Sequence, residues 1–412
     1  MRAWSWLKDL CSSERGNVLV IGAATLPLLI GSAAFAVDTI QLSVWKRQLQ
    51  RAADSGAIAG AYALSLGDDE HDAVHRDLDK NRFPTLSQEE GITVGPRLGF
   101  NRTVRVTLTA TRSLPFMSIF TNSASTIVAD ATAALVDDGT FCMVSLYDGE
   151  DPGIDVNGNA NVTLGCGMKS NCIGEQCVTA GGSSSITAVP IAAVGGLDGD
   201  SQNFVQPTTL QPYSAAQQDP LAHLPNPSPD PSSCTQPLEV PSNTTVTLAA
   251  GDHCYSSITV HGTLNLTGPQ STLTAYGGNI VMNAQAQVTG TGVTLIMTGP
   301  AGAAGDLQIN GGANLNLSSP STGTYRGIVM YRDRRASNIE IKINGGASSS
   351  LTGALYFPSS DLAFEGNQDM DVECLQMVAQ RLVFRGSATI TNNCPSSSGA
   401  SAFQQTVVRL VA

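Results

Sequence analysis

The chain has 412 residues, a formal net charge of −12 and only 14% charged side chains, with 41 Gly and 20 Pro. That length supports two or three domains with a sizeable core, and the low charge fraction argues against a highly charged disordered chain. Thirteen of the 22 Lys and Arg precede residue 113 and none lies between Lys169 and Arg326, so there is no basic stripe for phosphates and no nucleic-acid partner is expected.

After a short tail (1–17, assigned to the cytoplasm), residues 18–37 form a run without a charge. As a helix it spans about 30 Å, the thickness of a hydrocarbon core, and Pro27, Gly22 and Gly31 are tolerable inside a membrane helix. The run predicts a transmembrane helix in contact with the lipid bilayer. Ala34 and Ala36 also have A-x-A spacing, so a cleaved signal peptide competes, but the run is longer than the usual apolar core of one. Leu42, Trp45, Leu49, Ala52, Gly56, Ala59 and Ala63 then recur at three and four, and no proline interrupts Thr39 to Leu66. The helix is therefore expected to continue as a long rod. Ala52, Gly56 and Gly60 are the candidate helix-packing residues, because a second backbone can approach closely over them. That backbone belongs either to the same domain or to another copy of the chain.

The segment 14–63 resembles the N-terminal region of the TadG-like proteins, bacterial envelope proteins related to the Tad or Flp pilus-assembly machinery. The resemblance rests on Arg15-Gly16-Asn17, the apolar run, Val37-Asp38, Leu49-Gln50, and Ala52-Ala53-Asp54 leading to Ala59-Gly60-Ala61. It implies a single-pass inner-membrane protein associated with pilus biogenesis or surface attachment, with Tad/Flp secretion or pilus proteins as partners. The small pseudopilins of that system carry Glu five residues after their cleavage site, where this chain has Ile21, so processing at Gly16 is not expected.

Residues 38–137 are expected to form a helical stalk with a small α/β domain. The polar stretch 67–85 reads as a loop and a short helix, with His71 and His75 on a solvated face rather than in a metal site. Val104, Val106, Leu108 and Ala110 alternate with polar residues, the mark of a half-buried strand. "STIVADATAALV" reads as a further strand.

Eight of the nine cysteines follow the apolar run: Cys142, Cys166, Cys172, Cys177, Cys234, Cys254, Cys374 and Cys394. An even number beyond a membrane segment fits disulfides in an oxidising compartment. Short loops suggest the pairs 142–166, 172–177, 234–254 and 374–394; other pairings remain formally open. No second thiol pair or nearby His gives Cys172 and Cys177 a zinc-finger spacing. The positively charged residues flanking the run are nearly balanced, Arg2, Lys8 and Arg15 against Lys46, Arg47 and Arg51. The cysteines break that tie and place the C-terminal body in the periplasm or exposed at the envelope.

Residues 138–398 repeat a short alternating strand, an Asn- or Gly-rich turn and a second strand. Val260, Met282, Ile309, Ile343, Phe364 and Phe384 occupy matching positions, an irregular repeat of 20 residues or more. The fold class expected is mainly β: a transmembrane helix continuing as a long helix, a small α/β domain, then an irregular right-handed parallel β-helix in which each coil stacks on the previous one. A β-sandwich is the competing architecture. Asn157, Asn283, Asn310 and Asn344 are expected at matching turns. Residues 206–233 are a Pro-rich excursion, since Pro220, Pro225, Pro227, Pro229 and Pro231 lack ladder donors. Residues 399–412 read as a C-terminal tail.

"GIVMYRDRR", "INGGASSSLTGALYFPSSDLAFEG" and the paired Cys374 and Cys394 resemble a recurring module of longer TadG-related proteins, which supplies location rather than chemistry. Arg326, Arg332, Arg334 and Arg335, with Tyr331, form the one distal basic cluster and the candidate ligand patch, suited to an anionic surface glycan or an acidic partner. Asp361, Glu365, Asp369, Asp371 and Glu373 lack an aromatic sugar platform and a separately motivated acid. No catalytic, cofactor or metal residue is assigned, and an enzyme is not expected. The reading is an envelope component for Tad/Flp-type pilus assembly or surface attachment; the alternative is an envelope-anchored β-helix that binds or cleaves polysaccharide.

Overall fold

The computed structural model describes residues 17–81, 88–120, 124–344, 349–365, 369–372, 374–392 and 403–411, and they fall into two compact units, 1–137 with 406–412, and 138–405.

The first unit is built on helix α1, Asn17–Leu66, which passes through Pro27 without interruption. Its apolar half is bare: Leu26, Leu28, Leu29 and Phe35 are all at least 60% exposed. Hydroxyls in this half are satisfied within the helix, Thr25 Oγ1 donating to Ile21 O at 2.8 Å and Ser32 Oγ to Leu29 O at 2.9 Å. The other half is buried where the sequence turns to Ala and Gly. Helix α2, Glu70–Lys80, starts at Asp69, whose side chain accepts from the Asp72 N–H, and turns Val74 and Leu78 inward. Strand Phe100–Arg112 pairs antiparallel with Gln88–Arg97 and with residues 125–134. Its alternate residues Val104, Val106, Leu108 and Ala110 join Leu49, Ala53, Ala57, Val74 and Leu78 in one core. Residues 399–412 are not simply a tail, since Phe403–Leu410 is a strand and the Val411 N–H donates to Thr132 O at 2.9 Å.

The second unit is a parallel β-helix of three-strand coils, and the parallel pairing of every coil excludes face-packed antiparallel sheets. Val260, Met282, Ile309, Ile343, Phe364 and Phe384 lie in direct register on neighbouring coils. Inside, Phe364 and Phe384 stack with centroids 5.2 Å apart. Asn310 Nδ2 donates to Asn283 Oδ1 at 3.2 Å, so these two turn residues form one rung of a ladder. Gly386, Gly158 and Gly182 take positive φ at stacked turns, and a Cβ on Gly158 or Gly182 would lie 3.0 Å from the carbonyl of the glycine below it. Only glycine meets both demands there.

The coils do not stack in chain order. Phe384 pairs with Val156, and Val156 with Ala180. Along this face the strands follow one another as 238, 258, 280, 307, 341, 362, 382, 154, 178 and 197. The expectation that each coil rests on its predecessor fails at one place, because the first coils of the chain dock on its last. Residues 212–237 must then carry the chain back along the whole stack, roughly 40 Å at the spacing of paired strands. This is the Pro-rich excursion, and it is a strap.

Candidate functional site

The strap lies over one outward-facing row of side chains. Cys254, Thr274, Ile296, Tyr331, Tyr356, Val378, Val144, Lys169 and Ala192 are consecutive partners on successive coils. Outward positions on a β-helix normally meet water, yet Tyr331, Tyr356, Val378, Val144 and Lys169 are all fully buried. Leu221 and Leu224 of the strap pack into the same cluster. Polar contacts fix the strap from end to end. Lys169 Nζ donates to Ser214 Oγ. Asn171 and Gln217 exchange two hydrogen bonds of 2.7 and 2.8 Å. Tyr356 OH donates to Asp219 Oδ2 at 2.5 Å, and Tyr331 OH to Pro225 O at 3.3 Å. Burial, then the hydrogen bond to Asp219, pushes the Tyr356 phenol far above its ordinary range. The Cys234–Cys254 disulfide closes the far end.

The strap takes up part of the candidate ligand patch. Tyr331 lies under the strap, its ring 4.9 Å from that of Tyr356. Arg334 donates to the carbonyls of Ala222, Leu224 and Leu221 at 2.8, 2.9 and 3.3 Å. Arg332 is fully buried and donates to Ala304 O, Gly305 O, Ser337 O and Ser360 Oγ. Its burial lowers the guanidinium pKa, although Asp306 and Asp333 favour the charged form. Arg335 holds Asp333 at 2.6 Å and reaches Pro227 O at 3.4 Å. For Asp333, burial favours the neutral acid. The bonds from Arg335 and Thr298 outweigh it and keep the carboxyl below its usual range. Arg326 is exposed and does not share these contacts. Arg332 and Arg334 are thus turned onto the chain's own backbone, and Arg335, itself exposed, pairs with Asp333.

The small-residue face of α1 is also occupied within its own unit. Ala52, Gly56 and Gly60 are buried; a Cβ on Gly56 would meet Leu78 at 3.3 Å, and one on Gly60 would meet Val74 at 2.7 Å and Val104 at 2.8 Å. At Gly56 and Gly60 this face is filled by α2 and the strand Phe100–Arg112 of the same chain.

Cys142–Cys166, Cys172–Cys177 and Cys234–Cys254 are disulfide-bonded. The proposed fourth pair includes Cys394, which lies outside the described residues, while Cys374 begins the strand Cys374–Phe384. His75 Nδ1 meets Glu90 Oε1 at 2.8 Å and His71 is exposed. Among the described residues no group of three His, Cys, Asp or Glu could hold a metal ion. Asp361 is pushed up by burial, and its neighbour Glu365 is engaged by Arg385 at 3.0 Å and Lys342 at 3.7 Å. Asp369 and Asp371 register with Thr389 and Thr391. Glu373 lies outside the described residues.

Among the described residues one helix is long and apolar enough to cross a membrane, and none of its apolar window is buried. The Flp pilus-assembly TadE/G-like family model matches residues 16–63, which is most of this helix. A domain of unknown function, DUF7305, matches residues 222–392, from within the strap to the end of the strand Thr389–Asn392. No curated protein and no solved structure matches the chain. The chain thus joins an apolar helix with a Tad-type N-terminal segment to a disulfide-bonded β-solenoid.

Proposed function

We propose that this chain is a non-enzymatic component of the bacterial envelope, held in the inner membrane by residues 18–37, that supports Tad/Flp-type pilus assembly or surface attachment through contacts of its solenoid. One observation carries the reading: the bare apolar helix is also the segment similar to the TadE/G-like family. The three disulfides favour an oxidising compartment and so support a solenoid on the periplasmic side or beyond it. Proximity labelling from the solenoid in the native cell tests the role. Recovery of Tad/Flp secretion or pilus proteins is the expected result; recovery of surface glycan alone would replace pilus assembly with a polysaccharide-binding role.

A further inference from the structure

The hairpin that packs on α1 descends toward the apolar span, and three contacts mark its path. Gly60 faces Val104. Trp45 lies under the Arg112 guanidinium at 5.1 Å. Asp38 accepts from the backbone N–H groups of Phe116 at 3.3 Å and Met117 at 2.7 Å. As the helix number falls from 60 to 38, the hairpin number rises from 104 to 117. The returning strand repeats the trend, with Gln50 donating to Asp130 O at 2.8 Å and Lys46 to Val128 O. The tip of the hairpin therefore meets α1 at the first residue after the uncharged run.

That tip is apolar and bare. Leu114 is buried in the unit's core, but Phe116, Met117 and Ile119 are 37, 46 and 71% exposed. No charged residue occurs between Leu114 and Phe120. On α1 at the same level, Phe35, Val37 and Ile40 are also exposed. Asp38 is itself buried, with its carboxylate oxygens taken by the two amides, so it fixes the height of the tip. Clustered exposed apolar side chains mark a contact surface. Here the surface is continuous with the span, whose neighbour is lipid, and Arg112 stands one step above it on the polar side.

We infer that the Pro115–Phe120 tip is a second membrane contact, an interfacial anchor whose Phe116, Met117 and Ile119 side chains enter the lipid of the leaflet nearest Asp38. The inference rests on residues 18–37 spanning a bilayer. A helix held at one point is free to tilt and turn about its axis; a second apolar contact beside it fixes both.

The test uses the full chain reconstituted in phosphatidylcholine–phosphatidylglycerol vesicles, with Trp4 and Trp6 changed to Phe so that Trp45 is the constant background. Ile119→Trp adds a reporter at the tip. Tyr62→Trp adds one at an exposed site about 36 Å farther along α1. Lipids brominated high in the acyl chain are the quencher. The expected result is a blue-shifted component from position 119, quenched severalfold more strongly than that from position 62. Equal emission and equal insensitivity at both positions, in a chain that still sediments with vesicles after alkaline extraction, overturns the anchor and leaves the span intact. Release of the chain by alkali overturns the span and the anchor together.

Discussion

Replacing Arg334 by Met should free the strap without unfolding the coils beneath it. The guanidinium supplies three hydrogen bonds to strap carbonyls, at 2.8, 2.9 and 3.3 Å, and lies 5.7 Å from the Tyr356 ring centroid. Hydrogen bonds to a charged group are worth about 1.5–3 kcal/mol each, but they are not additive and these carbonyls can regain water when the strap lifts. A net loss of about 2–4 kcal/mol from the opening free energy is the working figure, equivalent to about 30- to 700-fold more opening. Native-state amide exchange reads this directly. The reporters are the amides of Gln217, Leu221, Ala222 and Leu224, which donate to Asn171 Oδ1, Asp219 Oδ1, Asp219 O and Leu221 O. Arg326→Met, at an exposed site, is the control and should change none of them. Parental exchange in the Arg334→Met strap would refute the clamp. Equal loss of protection in the strap and in the coils would refute the idea that the strap opens on its own.

Gly60→Ala should destabilise the first unit by about 1–3 kcal/mol through overpacking against Val74 and Val104, whereas Gly56→Ala, with 3.3 Å of clearance, should be near neutral or gain helix propensity; thermal unfolding of the full chain in detergent separates the two. The Cys234→Ser, Cys254→Ser double variant removes a cross-link between residues 20 apart and should lower the stability of the solenoid by about 3 kcal/mol, read as a lower denaturant midpoint. Asp333 is held below its ordinary carboxyl range, so its contribution is full above the unfolded value of about 4 and is lost as pH falls through the folded value. Unfolding free energy measured from pH 6 down to pH 3 should therefore fall more steeply in the parent than in Asp333→Asn.

The coil register was legible because each coil carries an inward apolar residue followed by an Asn or Gly turn, and this pattern is local. Val260 through Phe384 share this pattern, and the structure places them in one row. The docking of Phe384 on Val156 was not legible, because parallel strands pair through backbone groups that every residue carries. The arginine cluster misled for a related reason. The partners of Arg332 and Arg334 are mostly carbonyls, among them those of Leu221, Ala222, Leu224, Ala304 and Gly305, and a carbonyl acceptor leaves no trace in residue type. For Ala52, Gly56 and Gly60 the sequence showed that something approaches closely; only the positions of Val74, Leu78 and Val104 show that it is the chain itself. The outward row under the strap has one readable sign, the run of large apolar residues Ile296, Tyr331, Tyr356 and Val378 at positions that ordinarily meet water.

The permuted order of the coils bears on how the molecule is made. A chain made from its N-terminus releases residues 141–211 early, but the neighbour they need, ending at Phe384, follows only after the strap and the coils between. Until then the early turns present raw strand edges, the kind that chaperones hold and proteases find. A product halted anywhere before Phe384 stays an orphan fragment. Closure of the stack thus waits on the strand that ends at Phe384.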